Sequence, residues 1–183
     1  YLLPQVLKGF RKLFPDIPFT INQDVSSKVL NSLLKGHIQV GFTGMKVDDD
    51  SLEFVPVAID KMVVITPNTP TFRQLVGTKN AALHILMKYP LILRDKCSGS
   101  KAHVDRIFEK LHLTPDKLHV TAHLNEPEGL KNLVINQVGV SVISEPAVVQ
   151  AVADGTLLKF ELPKDTALRQ LYMVYHKHDT QSS

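Results

Sequence analysis

The sequence contains a single cysteine, Cys97, so no disulfide can form within the chain. That suits a reducing cytoplasm, although many secreted binding proteins also lack disulfides. No apolar run approaches the ~18 residues of a membrane-spanning helix. The first residues also lack the charged region, apolar stretch and cleavage site of an export signal. Charge of neither sign dominates: the formal net charge is +3, spread without runs, and no basic face for nucleic acid is visible. There is no internal repeat, and the only low-complexity stretch is the polar tail Asp179 to Ser183, which is expected to fray. Gly-x-Ser-x-Gly, Gly-x-x-x-x-Gly-Lys and His-Glu-x-x-His are all missing, which removes the usual sequence support for nucleophilic, phosphate-loop and zinc-hydrolase chemistry. What is present is 183 residues, 44% of them hydrophobic. Such a chain is long enough to bury a core as one domain or as two small lobes.

Apolar spacing supplies the elements. Leu3, Val6, Leu7, Phe10, Leu13 and Phe14 recur at helical intervals after Pro4, and Pro15 ends the helix. Ile17, Phe19 and Ile21 alternate, which predicts a short strand from Ile17 to Asn22 near a sheet edge. A helix capped by Ser26 or Ser27 follows, with Val29, Leu30, Leu33 and Leu34 on its apolar face and Gly36 at its end. Ile38 to Phe42 then reads as a strand running into Thr43-Gly44. Leu52 to Val57 and Lys61 to Ile65 read as two strands separated by Ala58-Ile59-Asp60, and Thr66 to Pro70 reads as a lobe boundary.

Beyond that boundary, a helix around Ala81 to Met87 leads to the strand Leu91 to Leu93 and the loop Asp95 to Ser100. A helix with Val104, Ile107, Phe108 and Leu111 precedes a strand from Leu118 to Leu124. A further helix with Leu130, Leu133 and Val134 precedes the strand Gly139 to Ile143, and Ser144-Glu145-Pro146 opens another helix. Leu157 to Phe160 and Leu171 to Tyr175 close the chain as strands. Alternating strands and helices imply an α/β fold with mostly parallel sheets in two units. A crossover layout also calls for a strand ahead of the first helix, for its apolar face to pack beside.

The order of these blocks resembles the effector-binding domain of LysR-type transcriptional regulators, whose fold is shared with the type 2 periplasmic binding proteins. Carrying the resemblance are Tyr1-Leu2-Leu3-Pro4 with Phe10 and Phe14-Pro15-Asp16, then Ser27, Val29, Leu33-Leu34 and Gly36, then Gln39 to Phe42. Asp50 to Glu53, Val63 to Pro67, Tyr89 to Arg94, Ser98 to Ser100, Gly139 to Ile143 and Ala147-Val148 follow in the same order. Each block is a short apolar pattern; the ordered set is the specific feature, and it covers nearly the whole chain.

The resemblance implies two Rossmann-like lobes joined by two crossing strands: residues 1–65 with 144–183, and residues 66–143. It places a small, anionic effector in the cleft between them, with Thr43, Gly44, Thr66, Ser98, Gly99, Ser100, Asn125, Glu126 and Ser144 as binding residues. Three departures stand out. Family members begin with a strand and a Ser/Thr-rich loop, and this sequence starts just after them. Asn136-Gln137 replaces the usual small residue and glycine, and Asn125 to Glu128 carries more charge than is common there.

Each site has a plainer reading beside it. Ser98-Gly99-Ser100 offers N–H and hydroxyl donors to an oxyanion at a helix start, but Ser98 or Ser100 serves equally as a simple cap; the resemblance favours the cleft. Thr43-Gly44 also reads as a turn, Asn125-Glu126 as a cap of the next helix, and Thr66 and Ser144 as partners for crossing-strand backbone. Cys97 beside Lys96 suggests a redox sensor, yet no resolving cysteine accompanies it. His119 and His123 would lie ~13 Å apart on a strand, too far to share one metal ion.

The expected role is therefore ligand sensing without catalysis, cofactor or metal. The expected partners are an anionic effector, further copies of the chain as a dimer or tetramer, and DNA through an amino-terminal helix-turn-helix segment outside this chain. Membrane association is not expected, and the expected compartment is the cytoplasm. A transporter solute-binding protein and, behind it, an enzyme on the same fold are the rival readings.

Overall fold

A computed structural model describes residues 3–94 and 99–177. Expectations for Cys97, Ser98, His178 and the tail 179–183 fall outside that range. The chain runs α1 (Leu3–Leu13), α2 (Ser26–Leu34), β1 (Val40–Thr43), β2 (Leu52–Pro67), α3 (Pro70–Arg73), α4 (Ala81–Lys88) and β3 (Leu91–Leu93). It continues with α5 (Gly99–Lys110), β4 (Val120–His123), α6 (Pro127–Ile135), β5 (Val140–Ser144), α7 (Val149–Ala153), β6 (Leu157–Glu161), α8 (Lys164–Ala167) and β7 (Leu168–His176). The α/β class and its crossing strand follow from this order.

The strands line up as β1-β7-β2-β5-β3-β4, with β6 also paired to β2. Parallel pairing holds β4, β3 and β5 together, as crossover connections require. The pairings made by β2 and β7 are antiparallel, so the sheet is mixed. The 16-residue β2 is the spine: its first half pairs with β7, its second half with β5 and β6.

Two expectations change here. The strands anticipated on either side of Ala58-Ile59-Asp60 are one continuous strand, because a register shift between Pro56 and Ala58 absorbs the irregularity and Arg169 and Ser144 hold Asp60 inside the ladder. The strand anticipated over Ile17 to Asn22 is not formed. Extended backbone becomes a strand only by pairing, and no ladder reaches this segment among the described residues; Ile17, Phe19 and Ile21 are exposed.

The second half of β2 alternates perfectly. Met62 and Val64 face a core with α4 and α5, where Ile85, Leu86, Val104 and Ile107 are buried. Val63 and Ile65 face a second core with Leu130 and Val134 of α6. Coverage on both faces explains why this stretch is apolar at every position rather than at every second one. Gly139 is required where β5 begins, since a Cβ there would lie 2.6 Å from the Pro90 carbonyl oxygen. At the exit of α6, Gln137 takes the left-handed conformation (φ +62°) that glycine usually supplies. The two closing bonds, Gln137 N to Val134 O and Val138 N to Leu133 O, are nonetheless made.

The first half of β2, with β1, β7 and α2, encloses a smaller core of Leu30, Leu33, Leu52 and Val174. The amphipathic stripe of α1 is real, but Val6, Phe10 and Leu13 lie on the surface. Among the described residues no helix is long and apolar enough to cross a membrane.

Candidate functional site

At the seam between these regions β2, β5 and β7 meet around one carboxylate. Asp60 is only 2% exposed. Arg169 at the start of β7 donates to its Oδ2 from Nε at 2.7 Å, and Nη2 lies 2.7 Å from the same oxygen. Ser144, at the end of β5, donates from Oγ to Oδ1 at 2.6 Å. A buried carboxylate costs several kcal/mol to desolvate unless it is paired in this way. The acid is accommodated inside the strand for that reason: both oxygens are satisfied, and three strands are tied to one residue.

Beside this joint lies a cavity of about 430 Å³. Val57, Ala58 and Met62 of β2 form its floor together with Val142 and Ile143 of β5 and Leu171 and Met173 of β7. The end of β1 (Phe42, Thr43, Gly44), the end of β3 (Arg94), the approach to α2 (Gln23 to Ser26) and the start of α6 (Pro127) close its rim. Strand carboxyl ends and helix amino ends thus converge on it, the position that open α/β sheets give to ligands.

Of the residues anticipated from sequence, Thr43, Gly44 and Ser144 are brought together here. Thr43 is buried, and its Oγ1 accepts from Met45 N at 3.0 Å, which leaves its hydroxyl hydrogen to be donated elsewhere. A Cβ on Gly44 would meet Leu171 at 3.3 Å and the Arg169 guanidinium at 3.4 Å, so the missing side chain gives Arg169 room at the joint. Thr66 is not brought to the cavity: it is fully buried and donates to the Pro67 carbonyl at 3.2 Å. The Glu126 carboxylate caps α6, accepting from Glu128 N at 2.8 Å and from Gly129 N. Asn125 precedes it and is not among the described lining residues, whereas Pro127 is. Gly99 and Ser100 open α5.

Sequence reasoning missed Asp60, Arg94 and Arg169. Asp60 carries a signal: with Lys61 it makes the one charged pair in the otherwise apolar stretch from Phe54 to Ile65. Arg94 and Arg169 sit at strand ends, where an arginine is unremarkable until the fold aims it at a cavity. His103 on α5 adds to the electrostatics: burial, with the Arg169 and Arg106 charges, holds its imidazole below the usual histidine range, against a backbone bond at Ala167 and the Asp60 charge. Lys61, next to Asp60, pairs with Glu161 and Glu145, which raises its pKa. Lys159, with Lys61 as a smaller contributor, holds the Glu145 carboxyl below its usual range.

The profile of the LysR substrate binding domain matches residues 1–183. The chain belongs to that family. Among relatives of this LysR-type domain, the HTH-type transcriptional regulator YeiE of Escherichia coli K12 is 26% identical over 178 residues, covering 97% of this chain and 58% of YeiE. The chain therefore spans little more than half the length of that relative. In structure, the domain resembles the effector-binding domain of QuiR in complex with shikimate: TM-score 0.79 and 17% identity, covering 97% of this chain and 81% of that one. It also resembles the CcmR regulatory domain of Synechocystis PCC6803 in complex with 2-PG: TM-score 0.79 and 20% identity, covering 97% and 82%. Membership favours the regulator reading over the transporter one.

Proposed function

We propose that this LysR-type domain is the ligand-sensing part of a transcriptional regulator and holds a small anionic effector in the cavity beside Asp60 and Arg169. The observation that carries this reading is the cavity's placement: its walls come from both halves of β2 and from the strand ends on either side of the joint. An effector touching both sides favours one relative arrangement of two lobes, residues 1–65 with 144–183 against residues 66–143. Its affinity difference between arrangements is what a regulator transmits. Thr43 donates a hydroxyl, and Gly99 and Ser100 add donors from the start of α5. The role is binding without turnover. DNA is reached through an amino-terminal helix-turn-helix segment outside this chain, and the protein works in the cytoplasm as a dimer or tetramer. Val6, Phe10 and Leu13 of α1 offer an apolar face on which the second lobe of another copy packs antiparallel.

Thermal shift with a panel of small acids tests the site. A compound that raises Tm in the parent chain is expected to lose its effect in Val57→Trp, which fills the cavity, and in Ser100→Leu; stabilisation that survives both substitutions contradicts the assignment. Sedimentation tests the assembly: a chain that stays monomeric at high concentration contradicts the pairing through α1.

A further inference from the structure

Resting on the effector reading only for two lobes that move, we propose that they turn on the step from Lys61 to Met62, and that Lys61, Glu145, Lys159 and Glu161 form a salt-sensitive clasp behind the cavity. The strand β2 changes partners at that step. Its ladder with β7 ends with Asp60 opposite Arg169 and Lys61 opposite Leu168. Its ladder with β5 begins with Met62 opposite Ser144, and that with β6 with Val63 opposite Glu161. Packing divides at the same place. Leu52 and Val174 join Leu30 and Leu33 in the small core. Met62, Phe160, Leu162 and Ala167 share a core with α4 and α5, and Val63, Ala147, Val148 and Leu157 share one with α6. Residues 144–167 therefore move with the larger body, and the division falls at 61/62 and 167/168 instead of near 65 and 144.

Two neighbouring side chains reach across the step, one on each face of the sheet. Asp60 faces the cavity and accepts from Ser144 Oγ at 2.6 Å. Lys61 follows it in the strand and so lies on the opposite face. There its Nζ pairs with Glu161 and lies 3.6 Å from Glu145 Oε2. Lys159 pairs with Glu145 and lies 3.6 Å from Glu161 Oε1. Each cation touches both acids, so charges of the two signs alternate around a closed ring. Of the four, Lys61 belongs to the smaller body and the others to the larger. Swinging the smaller body draws the Lys61 ammonium out of the ring and leaves two acids beside one cation. The two ties differ in their response to salt. Asp60 is 2% exposed and poorly screened, whereas the ring side chains are between 23% and 52% exposed, within reach of counterions. An effector that changes the lobe angle works against this ring, so ionic strength sets how readily the lobes respond.

Distance measurements between pairs of nitroxide labels by electron–electron double resonance test this without any ligand. Labels go on Asn31→Cys in the smaller body and on Lys88→Cys or Ala153→Cys in the larger, all at exposed positions, with Cys97→Ser removing the native thiol. Dilution with unlabelled protein restricts the readout to distances within one chain. Raising ionic strength from about 0.01 M to about 1 M shortens the Debye length from ~30 to ~3 Å. The Asn31 to Lys88 and Asn31 to Ala153 distributions are expected to broaden about two-fold over that range, while Lys88 to Ala153 keeps its width. E145Q/E161Q and K61M are each expected to give the broad distributions already at low salt. If Lys88 to Ala153 broadens while Asn31 to Ala153 does not, the division lies near residue 144 and the proposal falls. It falls as well if salt leaves every width unchanged, or if both variants, shown to be folded by circular dichroism, stay as narrow as the parent at low salt. No ligand enters these measurements, so a failed clasp leaves the effector reading to its own test with Val57→Trp.

Discussion

The two ends of β2 lie in one strand yet in different surroundings. From Met62 to Ile65 every side chain is buried, because helices cover both faces of the sheet. Around Leu52 the core shrinks to Leu30, Leu33 and Val174, and the flanking α1 segment leaves Val6, Leu13, Phe14, Ile17 and Ile21 exposed. Apolar content alone does not bury a residue: the same residue types are hidden where a partner surface lies opposite and exposed where it does not. Asp60 sits between the two environments, and its ties to β5 and β7 make the seam a defined joint.

Breaking the joint is expected to have the largest effect. Arg169→Leu leaves Asp60 buried without its guanidinium and is expected to cost about 3–5 kcal/mol in urea unfolding. Adding Asp60→Asn is expected to recover much of that; a loss below ~1 kcal/mol in the single variant would mean that the pair does not hold the two regions together. Next come the cores. Ile107→Ala, fully buried in the larger region, is expected near the upper end of the roughly 2–5 kcal/mol range for such truncations, and Leu33→Ala in the smaller one near the lower end. Equal costs would erase the contrast between the regions.

A pH dependence sharpens the seam. Because the folded His103 pKa is depressed, the unfolded chain binds a proton that the folded one declines. This contribution to stability is present above the ordinary histidine value of about 6.5 and is lost as pH falls below it. Melting temperature is expected to drop between pH 7.5 and 5.5, and to drop less in His103→Asn; identical slopes would remove His103 from the account. The smallest effect belongs to α1: Leu13→Ser, at a position 76% exposed, is expected to change monomer stability by no more than about 0.5 kcal/mol.

Much of this architecture is legible in the sequence because helix periodicity and apolar runs are local signals. The helices carrying Ile85, Ile107 and Leu130 and the strands carrying Leu91 and Val142 all lie where their spacing places them. Ile17 to Asn22 misleads because alternation records an intention to pair, and the pairing itself depends on a neighbour distant in sequence. β2 reads as two strands because Ala58-Ile59-Asp60 looks like an interruption, while the register shift and the arginine that accommodate it lie in the pairing with β7. Gln137 shows the reverse case, an unfavourable residue for a left-handed position held there by two backbone bonds. In the site, Thr43, Gly44 and Ser144 were readable as strand ends. Arg94 and Arg169 were not, since 75 residues separate them and only the folded sheet brings both to one cavity.

The claim on which the account turns is that the space beside Asp60 and Arg169 holds the effector. A crystal structure of the domain grown with a small acid that raises its Tm tests it directly. The account predicts ligand density in that space, against Val57, Met62 and Leu171. The acid bound elsewhere on the protein, with no ligand density in this space, would contradict it.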